Sequence, residues 1–346
     1  MSSASGNRES GLVVAVVGAT GLVGRTMIRI LEERNFPVAD LRPMAASGAG
    51  RSVRFKSSEI AVAEATPAAF EGVDIALFSA GAEVSLKLAP EAAKRGCTVV
   101  DNSSAWRMDP AVPLVVSQVN PEALDDHRGI IANPNCSTMQ LAPLLHALQQ
   151  RAGLKRVVVA TYQAVSGAGG DAVDDLRAQR RALVAGEIPT STTGHHAVAQ
   201  SPIPAIDMFL PDGSTKEETK VVNESRKILG LPELRISATA VRVPVEVGHS
   251  EAVHVELERP FTPDDARSVF AQTTGVFVQD DPASHTYPLA ADAAGSDGIY
   301  VGRVRVDQSV EHGLAFWVVS DNVRKGAATN AVEIAELLIA RRLLHE

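Results

Sequence analysis

Cysteine is nearly absent from this chain: Cys97 and Cys136 are the two among 346 residues. They cannot build a disulfide framework, and neither belongs to a Cys-x-x-Cys pair, so no metal site is expected and a cytoplasmic protein is the simplest reading. Basic excess is missing too. The formal net charge is −8 and no long Lys/Arg run occurs, which argues against general affinity for nucleic acid or an anionic membrane. Any anion site must therefore be local. Long apolar runs are also lacking: "GLVVAVVGATGLVG" is broken by four glycines and falls short of the ~20 residues a membrane span needs. The opening "MSSASGNRES" has no apolar core of the signal-peptide kind and reads as a disordered leader, residues 1–10.

What is present is ordinary for a globular enzyme: 45% hydrophobic and 21% charged residues. The length exceeds the ~250–300 residues at which one core stops growing, so two domains are the default. "LVVAVV" (12–17) reads as a strand buried on both faces, and "GATGLVG" turns it into a helix carrying Val23, Met27, Ile30 and Leu31 at helical spacing. Further apolar runs, "VDIALFSA", "CTVVDNSS" and "GIIAN", continue a strand–helix–strand rhythm, which implies a doubly wound sheet for roughly the first 133 residues. Beyond it, "KRVVVATYQAV", "RISATAVRVPVEV" and "SEAVHVELE" read as longer strands, the last two as antiparallel neighbours joined by "GH". "IYVGRVRVDQ" and "GLAFWVVSDN" follow, and "RKGAATNAVEIAELLIARRLL" reads as a closing helix. Residues 165–220 form the longest irregular polar stretch.

Two motifs carry chemistry. Gly18, Gly21 and Gly24 form G-x-x-G-x-x-G after the first strand, a variant of the dinucleotide turn. Small residues there let backbone approach a pyrophosphate, and the helix start offers free N–H groups and positive dipole. Asp40 is near the place of the usual ribose-binding acid, but would precede the second strand. Ser47, Gly48, Gly50 and Arg51 form a small-residue loop with a cation, which favours NADP over NAD. The second motif is "ANPNCST". Met139, Leu141, Leu144, Leu145 and Leu148 place a helix start at Cys136, where the dipole lowers a thiol's pKa from ~8.5 toward or below 7. Cys97, opening "CTVV", fits a small buried hydrophobe instead. Asn135 is placed to hydrogen-bond a reacting oxygen. A thiolate beside a nicotinamide points to thioester chemistry with hydride transfer. Its proton shuttle is sought among nine histidines: His249, read as an exposed residue in a tight turn, ranks above His195 and His196.

At this point the chain resembles the aspartate-β-semialdehyde dehydrogenase family. The resemblance rests on "GATGLVG", "DNSSAWR", "ANPNCST", "TYQAVSGAG", "KEETK", "VRVPVEVGHSE" and "DNVRKGAA", in the family's order across nearly the whole chain. It implies a Rossmann-like doubly wound domain at 11–133 and an α+β catalytic and dimerisation domain with a mainly antiparallel sheet at 134–322. A C-terminal helix at 323–346 would pack back on the first domain. It further implies reductive dephosphorylation of L-β-aspartyl phosphate, with Cys136 as nucleophile, His249 as acid/base and Gln163 orienting the intermediate. Arg242 would take the substrate carboxylate and Glu217 its ammonium; Arg107, Lys220 and Asn135 would hold phosphate. Gly18, Thr20, Gly21, Val23, Gly24, Ser47, Ser79, Gly81, Ser166, Gly167 and Asn322 would touch NADP. Ala46 stands where many members carry an arginine for the 2′-phosphate, so NAD use is also expected. The partners expected are small molecules and a second copy, as a homodimer or homotetramer. Two other readings stay open: a different acyl-phosphate reductase, such as N-acetyl-glutamyl-phosphate reductase, and a non-catalytic nucleotide-binding protein.

Overall fold

The computed structural model describes residues 11–46 and 50–344; the leader and Ser47 lie outside them. In chain order the elements begin β1 (Leu12–Val17), α1 (Leu22–Glu33), β2 (Val38–Ala45), β3 (Ser52–Phe55), β4 (Ser58–Ala61), β5 (Ala63–Glu64), β6 (Ile75–Phe78), α2 (Ala82–Ala93), β7 (Thr98–Asp101) and β8 (Ile130–Ala132). There follow α3 (Cys136–Ala152), β9 (Leu154–Gln163), α4 (Gly170–Val184), α5 (Lys216–Leu229), β10 (Arg235–Arg242), β11 (His249–Leu257), α6 (Pro263–Gln272), β12 (Val276–Val278), α7 (Ala290–Ala293), β13 (Ile299–Asp307), β14 (Gly313–Ser320) and α8 (Asn330–Arg341).

The chain forms two compact units. Among the described residues the first holds 11–46, 50–117, 121–133 and 328–344; the second holds 118–120 and 134–327. The last turn before α8, Arg324–Thr329, is a stretch of π-helix, and Val323–Ala327 stay with the second unit, whereas the sequence reading had placed them with the first.

In the first unit six parallel strands lie in the order β5-β2-β1-β6-β7-β8. The order reverses between β1 and β6, which opens a crevice at their carboxyl ends, the usual ligand position in an open α/β sheet. The continuous β-branched run of β1 is explained by burial on both faces: Val14 and Val16 join Met27 and Leu31 of α1 and Ile334 and Leu338 of α8 in one core, while Ala15 and Val17 join Phe78, Leu88 and Cys97 in the other. Burial, with Asp74 nearby, pushes the Cys97 thiol up to about 12, so it is an inert packing residue. Asp40 is the third residue of β2 rather than preceding the strand, and it is exposed and paired with Arg42. The β3–β4 hairpin had no counterpart in the sequence reading.

The second unit is a mixed sheet in the order β10-β9-β11-β14-β13-β12. Its three central pairings are antiparallel and its two outer ones parallel. Here a correction is needed. β10 and β11 are not paired neighbours: β9 lies between them, parallel to β10 and antiparallel to β11. The link from Val243 to Gly248 carries the chain past the end of β9, which a two-residue hairpin turn cannot do. A second correction concerns 165–220, which contains α4, held by Ala172, Val173 and Leu176 on its buried side. Alternate residues of β11, from His249 to Leu257, face a core shared with α3, α5 and α6.

Candidate active site

The second unit builds its cluster from strand ends and one helix start. β9 ends at Gln163, and β10 ends beside it at Arg242, in register with Gln163. β11 runs the other way and begins at His249, so all three side chains leave the same end of the sheet. Facing them, Cys136 is the first residue of α3. Asn135 caps that helix, its Oδ1 accepting from the amides of Ser137 (2.9 Å) and Thr138 (3.4 Å). Its carboxamide is thus spent on the helix rather than left free for a reacting oxygen; its Nδ2 donates to Glu217 Oε1 at 2.8 Å.

Gln163 Nε2 donates to Ser137 Oγ (2.8 Å) and Glu217 Oε1 (3.1 Å), which ties the strand end to the residue after the thiol. Glu217 is buried, and its other oxygen accepts from Lys220 at 3.2 Å, so the spacing in "KEETK" is more than a solvated helix pair. Lys220 also donates to Asp207 at 2.8 Å. Burial pulls the Lys220 pKa down, but Glu217 and Asp207 outweigh it and hold the ammonium above its ordinary value. Arg242 is lowered chiefly by burial, while charge on Cys136 and Glu217 acts in the opposite sense, so all three lie within electrostatic reach.

His249 differs from its expected setting. It is the first residue of β11, not part of a tight turn, and it is 0% exposed. Its Nδ1 accepts from the Ala164 amide at 3.0 Å, and the Ala164 carbonyl accepts from Arg242 Nη1 at 2.7 Å, so one residue clamps both. Burial first, and then the Arg242 charge, hold the imidazole pKa well below its usual value. A Cβ at Gly167 would lie 3.0 Å from Arg242 Nη1 and 3.2 Å from His249 Nε2. Asn322 accepts from the Gly248 amide (2.9 Å) and donates to Ser166 Oγ (3.0 Å), fixing the residue before His249.

Cys136, Gln163, Arg242, His249, Glu217, Lys220, Asn135, Ser166, Gly167 and Asn322 therefore all belong to the second unit. Two residues of the cluster escaped the sequence reading although both stand in quoted motifs. Gly326 packs on the thiol-bearing residue, since a Cβ there would meet Cys136 Cβ at 2.9 Å. Glu251, in "VGHSE", is wholly buried on the His249 face of β11.

The first unit has its own arrangement. Gly18 follows β1 with φ +87°, and a Cβ there would sit 2.3 Å from the Ser79 carbonyl oxygen after β6; at Gly24 a Cβ would sit 2.1 Å from the Gly18 oxygen. These glycines let β1, α1 and the β6 end close together. Gly21 is the N-cap of α1, with no side-chain cap and no acid in the first turn, and Thr20 and Val23 flank it. Gly81, at φ +84°, caps α2 with open space where a Cβ would be. Uncapped amides beside glycines fit a dinucleotide pyrophosphate. Arg107 lies in this unit, buried, donating to the Asn133 and Asn102 carbonyls at 2.9 Å each.

Residues 13–127 match the family described as semialdehyde dehydrogenase, NAD binding domain, and residues 141–325 match its dimerisation domain. The aspartate-semialdehyde dehydrogenase of Aquifex aeolicus (strain VF5) is 51% identical over 339 residues, covering 96% of this chain and 100% of its own. The chain belongs to the aspartate-semialdehyde dehydrogenase family. The enzyme of that name from Bacillus subtilis (strain 168) is 49% identical, over 95% of this chain and 97% of its own. Among solved structures, aspartate semialdehyde dehydrogenase II from Vibrio cholerae, complexed with ASA, aligns with TM-score 0.93 at 45% identity, covering 95% of this chain and 98% of that one. As a member of this dehydrogenase family the chain is an oxidoreductase of amino-acid biosynthesis with an NAD(P)-binding Rossmann-like domain and a dimerisation domain. Among the described residues no helix is long and apolar enough to cross a membrane.

Proposed function

We propose that this chain catalyses the reversible, phosphate-dependent reduction of L-β-aspartyl phosphate to L-aspartate-β-semialdehyde, with Cys136 as acyl carrier. The observation that carries the reading is the charge pattern around the thiol. Arg242 and Glu217, one cation and one anion, act on each other and, for Arg242, on Cys136. That pattern complements an amino acid with free carboxylate and ammonium groups whose third group is the reacting carbonyl. An N-acylated substrate has no ammonium for Glu217, which favours the aspartyl substrate over N-acetyl-glutamyl phosphate. Arg242 binds the carboxylate in the bidentate manner of a guanidinium.

The Cys136 thiolate, favoured by the start of α3, attacks the acyl phosphate and expels phosphate toward Lys220. Gln163, held by Ser137 and Glu217, orients the resulting thioester, and His249 faces its carbonyl oxygen. When bound at the glycine turn, the nicotinamide dinucleotide supplies the hydride. Thr20, Gly21, Val23, Ser79 and Gly81 hold the dinucleotide. The cofactor is NADP(H), with NAD(H) also accepted, because Ala46 leaves the loop without the nearby arginine and Arg51 substitutes from farther along.

The enzyme works in the cytoplasm as a homodimer. Support for the dimer comes from the matched dimerisation domain and from the sheet face opposite the core, where Tyr162 stays partly exposed against Trp317, ring centroids 5.3 Å apart. The test is phosphate-dependent oxidation of aspartate semialdehyde, run with NADP+ and NAD+ side by side and with N-acetyl-glutamyl semialdehyde as competitor. The expected outcome is turnover of the aspartyl compound with modest preference for NADP+. Absence of phosphate-dependent turnover, or preference for the N-acetyl compound, overturns the reading; a strong NADP+ preference overturns the cofactor statement alone.

A further inference from the structure

We propose that Glu251 and Gln140 are a positioning pair: a carboxylic acid–amide bridge, one layer below the thiol and the imidazole, that sets the spacing between Cys136 and His249. The proposal rests on the function above and leaves the part played by each reacting group as it stands there.

Periodicity places the two residues. Gln140 lies four residues after Cys136 on α3, one turn along the same helix face, and Glu251 lies two after His249 on β11, on the same strand face. Leu144 and Leu148 continue the helix row, and Val253, Val255 and Leu257 continue the strand row, all in one core. Each element thus runs from a reacting side chain through one polar residue into apolar packing. The two polar residues meet between the elements, where the Gln140 side chain acts on the Glu251 carboxyl. Both are 0% exposed.

Such a pair is costly unless it is matched. Neither carboxyl oxygen of an ionised Glu251 and neither amide atom of Gln140 finds a hydrogen-bond partner, a state that native interiors avoid. A proton on the carboxyl supplies the match: its O–H donates to Gln140 Oε1, and the Gln140 N–H donates to the other carboxyl oxygen. Burial favours that neutral form, since it holds the Glu251 pKa well above the usual carboxylate range. Valine or leucine in these places would avoid the cost but would let helix and strand slide. Apolar contact is non-directional, whereas a fully satisfied polar bridge admits one alignment.

The bridge sits where alignment matters. Gln163 ties the start of α3 to β9, through Ser137 Oγ at 2.8 Å. Glu251 and Gln140 supply the corresponding tie to β11, whose first residue is His249. The cross-strand partner of Glu251 on β9 is Thr161, and Thr161 Oγ1 accepts from Gln163 Nε2 at 3.3 Å, so the two ties lie side by side. Glu251 and Gln140 act through Cys136 and His249, not on substrate.

The test uses the full-length enzyme with Glu251→Met and Gln140→Met together, which roughly keeps volume and removes the bridge. Taking both partners out of a buried polar pair is nearly neutral or stabilising, so calorimetry should show Tm no lower than wild type. Phosphate-dependent oxidation of aspartate semialdehyde should still fall ~10–100-fold in kcat, with KM changed less than ~2-fold, as a small misplacement of reacting groups produces. The pH midpoint of Cys136 alkylation by iodoacetamide should rise, because the thiolate moves out of line with Arg242 and the start of α3. Cys97, with its thiol pushed up to about 12, is the silent control. Glu251→Gln forms an amide–amide bridge instead and should keep near-wild-type kcat and an unchanged midpoint. Wild-type kcat in the methionine enzyme, or equal loss in the glutamine enzyme, overturns the proposal. Should the methionine enzyme fail to fold, Gln140→Glu sets two acids face to face and should lose turnover. Adding Glu251→Gln to it then rebuilds the bridge with its partners exchanged, and no recovery there overturns the proposal. If the aspartyl substrate itself is wrong, the unmodified enzyme shows no turnover while the alkylation midpoints still report the spacing, so the two failures are distinguishable.

Discussion

Glu251 offers the sharpest physical test of the second unit. It is 0% exposed, and neither carboxyl oxygen has a hydrogen-bond partner; the Gln140 amide, which faces it from α3, is likewise unpartnered on both atoms. Burial raises its pKa well above the ordinary value, with the Gln140 side chain acting the other way. The sign follows from linkage. Below the unfolded-state pKa, near 4.5, both states are protonated and the residue is neutral with respect to pH. As pH rises past that point the unfolded chain ionises while the folded one does not, and stability falls by ~1.4 kcal/mol per pH unit until the folded-state pKa is reached. Glu251→Gln removes this slope and keeps an amide that can pair reciprocally with Gln140. His249, whose folded pKa is depressed, has the opposite slope: stability is lost as pH falls below about 6.5. Between these limits the two slopes oppose each other, and buried Asp101, whose pKa is also raised, adds its own, so the variant-minus-wild-type difference is the quantity to read. For a unit of this size ~1 kcal/mol moves Tm by ~2–4 °C, so the variant should gain ~3–5 °C over wild type for each pH unit between 4.5 and the folded-state pKa. Calorimetry across pH would measure it. A difference that is flat, or a variant that loses ground as pH rises, refutes the neutral-carboxyl argument.

Further outcomes follow from the site. Cys136→Ala should show no phosphate-dependent semialdehyde oxidation, because no other side chain replaces the thioester-forming sulfur; near-normal turnover would end the covalent mechanism. Gly326→Ala brings a Cβ to 2.9 Å from Cys136 Cβ and 3.3 Å from its Cα, so the helix start must shift. We expect a folded enzyme with kcat down ~10–100-fold and KM little changed, checked by steady-state kinetics with circular dichroism. Arg242→Leu should act mainly on substrate binding, raising KM by a factor equivalent to ~2–5 kcal/mol, with a smaller fall in kcat because the Ala164 carbonyl loses one of its donors and keeps the Gly167 amide.

The parts of this fold that were legible in the sequence are those fixed by local chemistry. A six-residue β-branched run before G-x-x-G-x-x-G needs only strand and turn physics, and an apolar stripe after Asn-Pro-Asn-Cys needs only helix periodicity and a capping residue. Sheet order is another matter. Nothing near β10 or β11 says that β9 inserts between them, because that pairing joins residues ~80 positions apart and is decided by core packing. The burial of His249 is hidden for a related reason: alternation along "HSEAVHVEL" shows that one face is buried but not that His249 and Glu251 share it with valines. The β3–β4 hairpin and α4 were hidden by polar composition. Gly326 declares its closeness to Cys136 only in three dimensions, although both stand in motifs that the resemblance had already marked.

The common departure of Gln163, Arg242 and His249 from one end of the sheet has a consequence for how the site can change. Their mutual spacing is set by the hydrogen-bond ladders of β9, β10 and β11, so it resists drift. Glu217 and Asn135, on α5 and at the start of α3, are bonded to each other and, through Glu217, to Gln163, so they are tied to that spacing, whereas Lys220 is linked to it through Glu217 and faces Asp207. A change at the tail of an acyl donor is therefore taken up most easily at Lys220 and Asp207, one step removed from the strands that hold the carbonyl-facing side chains.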